Sequence, residues 1–160
     1  MNEVYLSLGC NIGNRREYLN NAKELISEIS SGEIVLSKLY ESESWGFEAD
    51  KFLNIVIKIQ TCFDAYSLLK KLQEIEKILG RENKTIDFYE SRKIDIDILY
   101  FNNDTVSGSE LTIPHKFLHL RKFVLKPLND ISPNFTHPIL KKTNEYLLQI
   151  CVDNCEVRAV

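Results

Sequence analysis

The chain predicts an α+β fold, an antiparallel sheet carrying helices on one face, and three observations lead there. Apolar residues alternate with period two in several short runs, as in half-buried strands. In two intervening runs they recur at the three-and-four spacing of an amphipathic helix. The order of these runs along the chain is β-α-β-β-α-β, followed by a region of shorter elements. At 160 residues and 44% hydrophobic, the chain is long enough for one domain with a real core, and residues 1–160 are expected to form a single domain.

The first strand is expected over Glu3–Leu8, with Val4, Leu6 and Leu8 on one face. A loop, Gly9 to Asn14, leads into a helix in which Asn14 and Glu17 have capping-box spacing and Leu19, Ala22, Ile26 and Ile29 form the apolar stripe. Gly32 ends that segment, and a second strand is expected from Glu33 to Ser42. Residues 43–51 are polar and read as a loop. Phe52–Thr61 is a strand with Leu53, Ile55, Ile57 and Ile59 inward and Asn54, Lys58 and Gln60 outward. Asp64 caps a second helix bearing Leu68, Leu72, Ile75 and Leu79, and Gly80 stops it. After a long polar loop come a strand through Ile94–Phe101, a turn at Asn102–Asp104 and a short strand near Leu111–Ile113. Beyond Pro114 the chain reads as short helices and loops, with a last helix near Thr143–Cys151. The order is that of the ferredoxin-like βαββαβ unit, here with additional C-terminal short strands and helices. Helices on one face would leave the other sheet face free to build a site.

The chemistry is concentrated in Arg92-Lys-Ile-Asp-Ile-Asp97. Side chains of a strand change face at every residue, so Asp95 and Asp97 point the same way, about 7 Å apart. Ile94, Ile96 and Ile98 take the core face. Adjacent carboxylates repel unless cations lie between them. Hard oxygen ligands on a stiff strand suit Mg²⁺, which keeps several waters and completes its shell from substrate phosphates. Arg92 adds a fork-shaped donor for phosphate oxygens. The plain alternative is a half-solvated strand whose wet face happens to carry acids.

Bulk properties exclude other classes. A net charge of −3 does not suit a general nucleic-acid binder. No apolar run approaches a membrane span, and the N-terminus lacks the basic and apolar regions of a signal peptide. Cys10, Cys62, Cys151 and Cys155 have neither zinc spacing nor the number for a disulfide scaffold, so most are expected to be free thiols in a reducing cytoplasm, with a Cys151–Cys155 pair as the alternative to packed or idle thiols in the tail. A ligand-binding regulatory module and a metal-free enzyme working through a general base remain open on these observations alone.

Leu8-Gly-Cys-Asn11, the strand start Phe52-Leu-Asn54, Gln73-x-x-Glu76-x-x-x-Gly80-Arg81, Arg92-x-Ile-Asp-Ile-Asp97 and Leu111-Thr-Ile-Pro-His115 with Arg121 and Phe123 occur in that order. Over residues 4–128 this series resembles the 6-hydroxymethyl-7,8-dihydropterin pyrophosphokinases of folate biosynthesis. The resemblance implies transfer of the β,γ-pyrophosphoryl group of ATP to the pterin hydroxymethyl oxygen, with release of AMP. It implies two Mg²⁺ ions on Asp95 and Asp97, with Arg92 and Arg81 assisting catalysis; Arg81 could equally pair with the end of its helix. ATP would be met by Gln73, Glu76, Lys84, Ile98, Thr112, His115 and Arg121. The plain reading of Glu76 is an exposed helical acid. The pterin ring would lie between Phe52 and Phe123, which could otherwise be simple core packing, with Asn54 at its edge and Ser42, Trp45, Gly46 and Tyr89 around it. The implied partners are the two substrates, with no nucleic acid and no membrane, and the implied state is a cytoplasmic monomer. The chain departs from the family pattern at Cys10, Glu43-Ser44-Trp45, Tyr89 and Ser91, which bears on how the loops close.

Overall fold

Strand β1 (Asn2–Cys10) lies inside the sheet, flanked by two strands that offer the same alternating pattern. In the computed structural model, which describes residues 1–80 and 93–160, β1 pairs antiparallel with β4 (Phe52–Thr61) from Asn2↔Thr61 to Cys10↔Leu53. On its other side it pairs antiparallel with β5 (Asp95–Phe101), Gly9 facing Asp95 and Ser7 facing Asp97. Helices α1 (Arg15–Ile29) and α2 (Ala65–Ile78) cross one face. Asn14 and Asp64 cap them by accepting the N–H groups of Glu17 and Ser67. These bonds, with a further one from the Ser67 hydroxyl, hold the Asp64 carboxyl below its usual range. Leu6, Leu8, Ile26, Ile57, Ile59, Leu68 and Leu72 are fully buried between sheet and helices. Each stabilises the fold by roughly 1.5–3 kcal/mol through lost water contact. The βαββαβ order, and the strand sequence β5-β1-β4 with the segment before β4 on its outer side, are those expected of a ferredoxin-like unit.

Four features depart from expectation. The edge segment expected as one strand over Glu33–Ser42 is two, β2 (Val35–Leu36) and β3 (Tyr40–Ser42), both paired to β4. The break falls at Ser37, whose hydroxyl accepts the Val56 N–H (2.9 Å) in place of a backbone carbonyl. A further strand, β8 (Val157–Ala159), adds antiparallel to the outer edge of β3. Strand β7 (Thr112–Ile113) pairs with an unanticipated β6 (Val106–Ser107). Finally, the sheet face opposite α1 and α2 is only half free. Helices α3 (Lys122–Ile131) and α4 (Asn144–Gln149) pack a second core there, in which Leu118, Val124, Leu125, Leu128 and Leu147 meet Tyr5, Val56, Leu99 and Tyr100.

That second core is anchored by polar tips. The buried Tyr100 hydroxyl donates to Asn144 Oδ1 (2.7 Å), and the Tyr5 and Ser132 hydroxyls share a 2.8 Å hydrogen bond. Burial pushes both phenols up from their ordinary range. The site is left to the end of this face that α3 and α4 do not cover.

Candidate active site

The register puts Asp95, Gly9 and Asn54 in one row across β5, β1 and β4. Asp95 and Asp97 are half-buried, while Ile94, Ile96 and Ile98 are packed in the first core on the opposite face. Gly9 keeps the floor of the row low. A methyl there would come within 3.3 Å of Asn54 Oδ1 and 3.7 Å of the Phe52 ring.

Glu76 is not an exposed helical acid. It is only 4% exposed, and its Oε1 accepts the N–H of Ile96 at 2.8 Å. A carboxylate bound to a backbone N–H in a dry environment forms a strong, charge-assisted bond. It therefore ties α2 to β5 at the residue between the two aspartates.

A β-bulge sets the third acidic-face neighbour. The β1–β5 register shifts between Tyr5 and Leu6, so that Tyr5 faces Tyr100 while Leu6 faces Ile98. Leu99 is the extra residue, and its carbonyl accepts the His115 N–H at 3.0 Å. This brings His115 Nε2 to 3.8 Å from Asp97 Oδ2. Nδ1 accepts the Phe117 N–H (3.2 Å), so the proton of the neutral ring sits on Nε2, toward Asp97. Burial holds the imidazole below its usual range. The carboxylates of Asp97 and Asp95 oppose that effect, and the cations of Arg121 and Lys116 add to it.

Arg121, 8% exposed, precedes α3. Its guanidinium carbon lies 4.6 Å from the Trp45 ring centre, 5.1 Å from Phe117 and 5.6 Å from Phe123. Trp45 and Phe117 are themselves 5.7 Å apart. Cation–π contact of this kind fixes a long, otherwise mobile side chain and joins loop 43–51 to the start of α3. The loop turns at Gly46, whose φ of 86° a side chain would strain, and the Ser44 hydroxyl donates to the Phe47 carbonyl. Arg15 clamps both ends of the loop, donating to Glu41 Oε2 (2.9 Å) and to the Lys51 carbonyl (2.8 Å).

Ser42 and Asn54 are both 2% exposed, and Asn54 Nδ2 donates to Ser42 Oγ at 2.7 Å. That bond fixes the amide orientation. Phe52 stands beside them, edge-on to Phe47 at 6.3 Å. Phe123 is half-buried against the second core. Gln73 and Thr112 are exposed, on α2 and β7. Ile98 turns its side chain into the aliphatic core, away from the acidic face, so its backbone is what it could offer to ATP. Arg81, Lys84, Tyr89, Ser91 and Arg92 lie outside the described residues.

Sequence reasoning missed Phe117, with Lys116 stacked on it at 4.7 Å. Its position depends on the turn after His115, where the His115 carbonyl accepts the Leu118 N–H (3.1 Å). Among the described residues no three His, Cys, Asp or Glu side chains are grouped to hold a metal. Among the described residues a cation at Asp95 and Asp97 would have two protein carboxylates, a set that suits Mg²⁺, which completes its shell from water and phosphate.

The family model of 7,8-dihydro-6-hydroxymethylpterin-pyrophosphokinase (HPPK) matches residues 5–133. The chain belongs to this family. It is 41% identical to the 2-amino-4-hydroxy-6-hydroxymethyldihydropteridine pyrophosphokinase of Aquifex aeolicus, covering 89% of this chain and 88% of that protein. With the enzyme of the same name from Porphyromonas gingivalis it shares 40% identity over 84% of this chain and 93% of the relative. It also matches the folic acid synthesis protein fol1 of Pneumocystis carinii at 42% identity, but spans only 18% of that longer protein. Among solved structures, Plasmodium falciparum HPPK-DHPS wild type with pteroate superposes with a TM-score of 0.72 at 20% identity, over 92% of this chain and 42% of that one. That likeness concerns the fold. As an HPPK the chain is a pyrophosphokinase of folate biosynthesis, with ATP as co-substrate and 6-hydroxymethyl-7,8-dihydropterin as acceptor of the pyrophosphoryl group.

Proposed function

We propose that the transfer is run on the acidic face by Asp95 and Asp97 holding two Mg²⁺ ions, with ATP phosphates toward His115 and Arg121 and the pterin toward Asn54, Phe52 and Phe123. The observation that carries this reading is the pair of half-buried carboxylates beside the His115 Nε2–H (3.8 Å from Asp97), on a strand locked by Glu76. Bound Mg²⁺ would neutralise phosphate charge and polarise the oxygens that enter and leave the transferred group. The chain's own groups do the positioning. His115, neutral with its proton on Nε2, donates to a phosphate oxygen without adding a second full charge beside Arg121. Arg121, already stacked and largely dry, gives a charge-assisted bond with little ordering cost. Asn54, oriented by Ser42, meets the edge of a flat heteroaromatic ring with one acceptor and one remaining donor, while Phe52 and Phe123 supply faces for stacking. Trp45, Gly46 and Ser42 serve the pterin, a role also proposed for Tyr89, and the phosphates are assigned to Arg81, Lys84 and Arg92. The two cores on opposite faces of one sheet support a single domain over residues 1–160, and a monomer is part of the proposal. The four free thiols support a reducing cytoplasm as its compartment.

Thermal denaturation with a non-hydrolysable ATP analogue tests the metal assignment. A ligand that binds only the folded state raises the melting temperature. The rise should require Mg²⁺ in the wild type and should be much smaller in Asp97→Asn. An equal rise in EDTA, or in the variant, contradicts it.

A further inference from the structure

The C-terminal tail is the part of the described chain whose contacts the reaction does not yet use. It lies beyond the family match, which ends at residue 133. It runs back across the molecule and holds the pterin end of the site at two points. At the first, Asp153, 9% exposed, accepts the Lys122 N–H through Oδ2 (3.0 Å) and the Cys155 N–H through Oδ1 (2.9 Å). Helix α3 needs this bond, because its own N-cap residue, Arg121, makes no side-chain cap. Asp153 therefore satisfies, from 31 residues away, one of the N–H groups that the start of a helix leaves without an intrahelical partner. Its negative charge also suits the positive end of the helix. Lys122 directly precedes Phe123, so the bond fixes the backbone at the ring wall, whereas the Arg121 guanidinium is held separately by its stacking on Trp45 and Phe117.

At the second point, β8 pairs with β3, Val157 facing Ser42 and Ala159 facing Tyr40. Val157 is 4% exposed, and its carbonyl accepts from Lys126 Nζ of α3 at 2.6 Å. The tail so joins α3 to the edge strand that carries Ser42, and Ser42 in turn orients Asn54. The acids are held separately, by β1 and by Glu76 of α2.

We propose that Asp153 and the β8 strand are positioning elements for the pterin half of the site, and that they act on pterin binding while leaving ATP binding largely alone. The proposal rests on the assignment of Asn54 and Phe123 to the pterin, so the experiment includes that assignment as a separate arm. Steady-state KM values for ATP and for 6-hydroxymethyl-7,8-dihydropterin are measured with Mg²⁺ for the full chain, Asp153→Ala, Asp153→Asn, a deletion of residues 154–160, and Asn54→Ala. Loss of a helix cap that fixes a binding loop should raise the pterin KM about fivefold in Asp153→Ala, with the ATP KM within about twofold of wild type. Asp153→Asn, which keeps an acceptor oxygen, should recover most of that loss. The deletion should shift the pterin KM in the same direction, and if it does not fold, the Asp153 pair decides. A normal pterin KM in Asp153→Ala, or equal rises for both substrates, overturns the proposal while Asn54→Ala still weakens the pterin. A normal pterin KM in Asn54→Ala overturns the pterin assignment itself.

Discussion

On the face of the sheet that meets α1 and α2, Val4, Leu6, Leu8, Ile55, Ile57 and Ile96 are all buried in aliphatic contacts. On the other face, Ser7, Gly9, Asn54, Asp95 and Asp97 lie beside an aromatic block around Tyr5 and Tyr100. The two faces belong to the same strands, one residue out of phase. The first is built to exclude water, and its stability comes from area removed from solvent. The second holds polar groups whose positions are set by long-range hydrogen bonds and stacked rings. Stability and chemistry are thus separated by a single alternation, and a substitution on one face should leave the other largely intact.

The largest effect that tests this separation is Asp97→Asn. It keeps shape and removes a charge where phosphate charge must be balanced, so turnover should fall at least about a hundredfold. The melting temperature should stay near that of the wild type. Near-normal turnover at saturating Mg²⁺ would break the assignment of the polar face.

Next is a pH effect confined to the covered half of that face. His137 is 4% exposed, and its Nδ1 accepts the N–H groups of Ile139 (3.2 Å) and Leu140 (3.0 Å). Burial, with His119 nearby, pushes its pKa down to about 4. The unfolded chain therefore binds the proton more readily. The stabilisation is full above the unfolded value near 6.5 and is lost as pH falls from there through about 4. Between pH 7 and pH 4.5 urea denaturation should show a loss of about 2 kcal/mol from this group. His137→Gln should lose correspondingly less than the wild type over the same range. Equal slopes in the two proteins would mean the imidazole is not the sensor.

A smaller change, specific to one substrate, is expected at the ring wall. Phe123→Ala should weaken pterin binding by about 2 kcal/mol through lost stacking and burial. ATP affinity, read by titration of the same sample, should change little. Equal losses for both ligands would mark a packing defect in the second core instead. The smallest effect is expected where the two faces are coupled. Glu76→Gln keeps an acceptor for the Ile96 N–H but loses its charge, which should cost about 1 kcal/mol of stability. Turnover should fall with it, because the strand between Asp95 and Asp97 is less firmly held. Unchanged turnover would show that β5 keeps its register without this tie.

These contrasts also explain what could be read in the sequence. The aliphatic face was legible in β1, β4, α1 and α2, because spacing within ten or fifteen residues determines which side chains are buried. The Asn14 and Asp64 caps are local for the same reason. Asp95 and Asp97 were legible as a pair because two-residue spacing alone puts them on one face. The rest depended on partners far away in the chain. The burial of Glu76 follows from an amide 20 residues later, and nothing in its helical position distinguishes it from a solvated acid. The Leu99 bulge, which presents a carbonyl to His115, is a matter of register between strands. β8 is three residues long and strand-like only once β3 offers an edge. Helices α3 and α4 were expected as short elements, but not that they would cover half of the face assigned to the site.

The measurement that bears most directly on the account is the identity of the nucleotide released. The protein is incubated with Mg²⁺, ATP and 6-hydroxymethyl-7,8-dihydropterin, and nucleotides and pterins are resolved chromatographically. Transfer of both terminal phosphates as one unit predicts AMP in a one-to-one ratio with pterin diphosphate, abolished in Asp97→Asn. ADP as the main nucleotide product, or no pterin-dependent turnover, would contradict it.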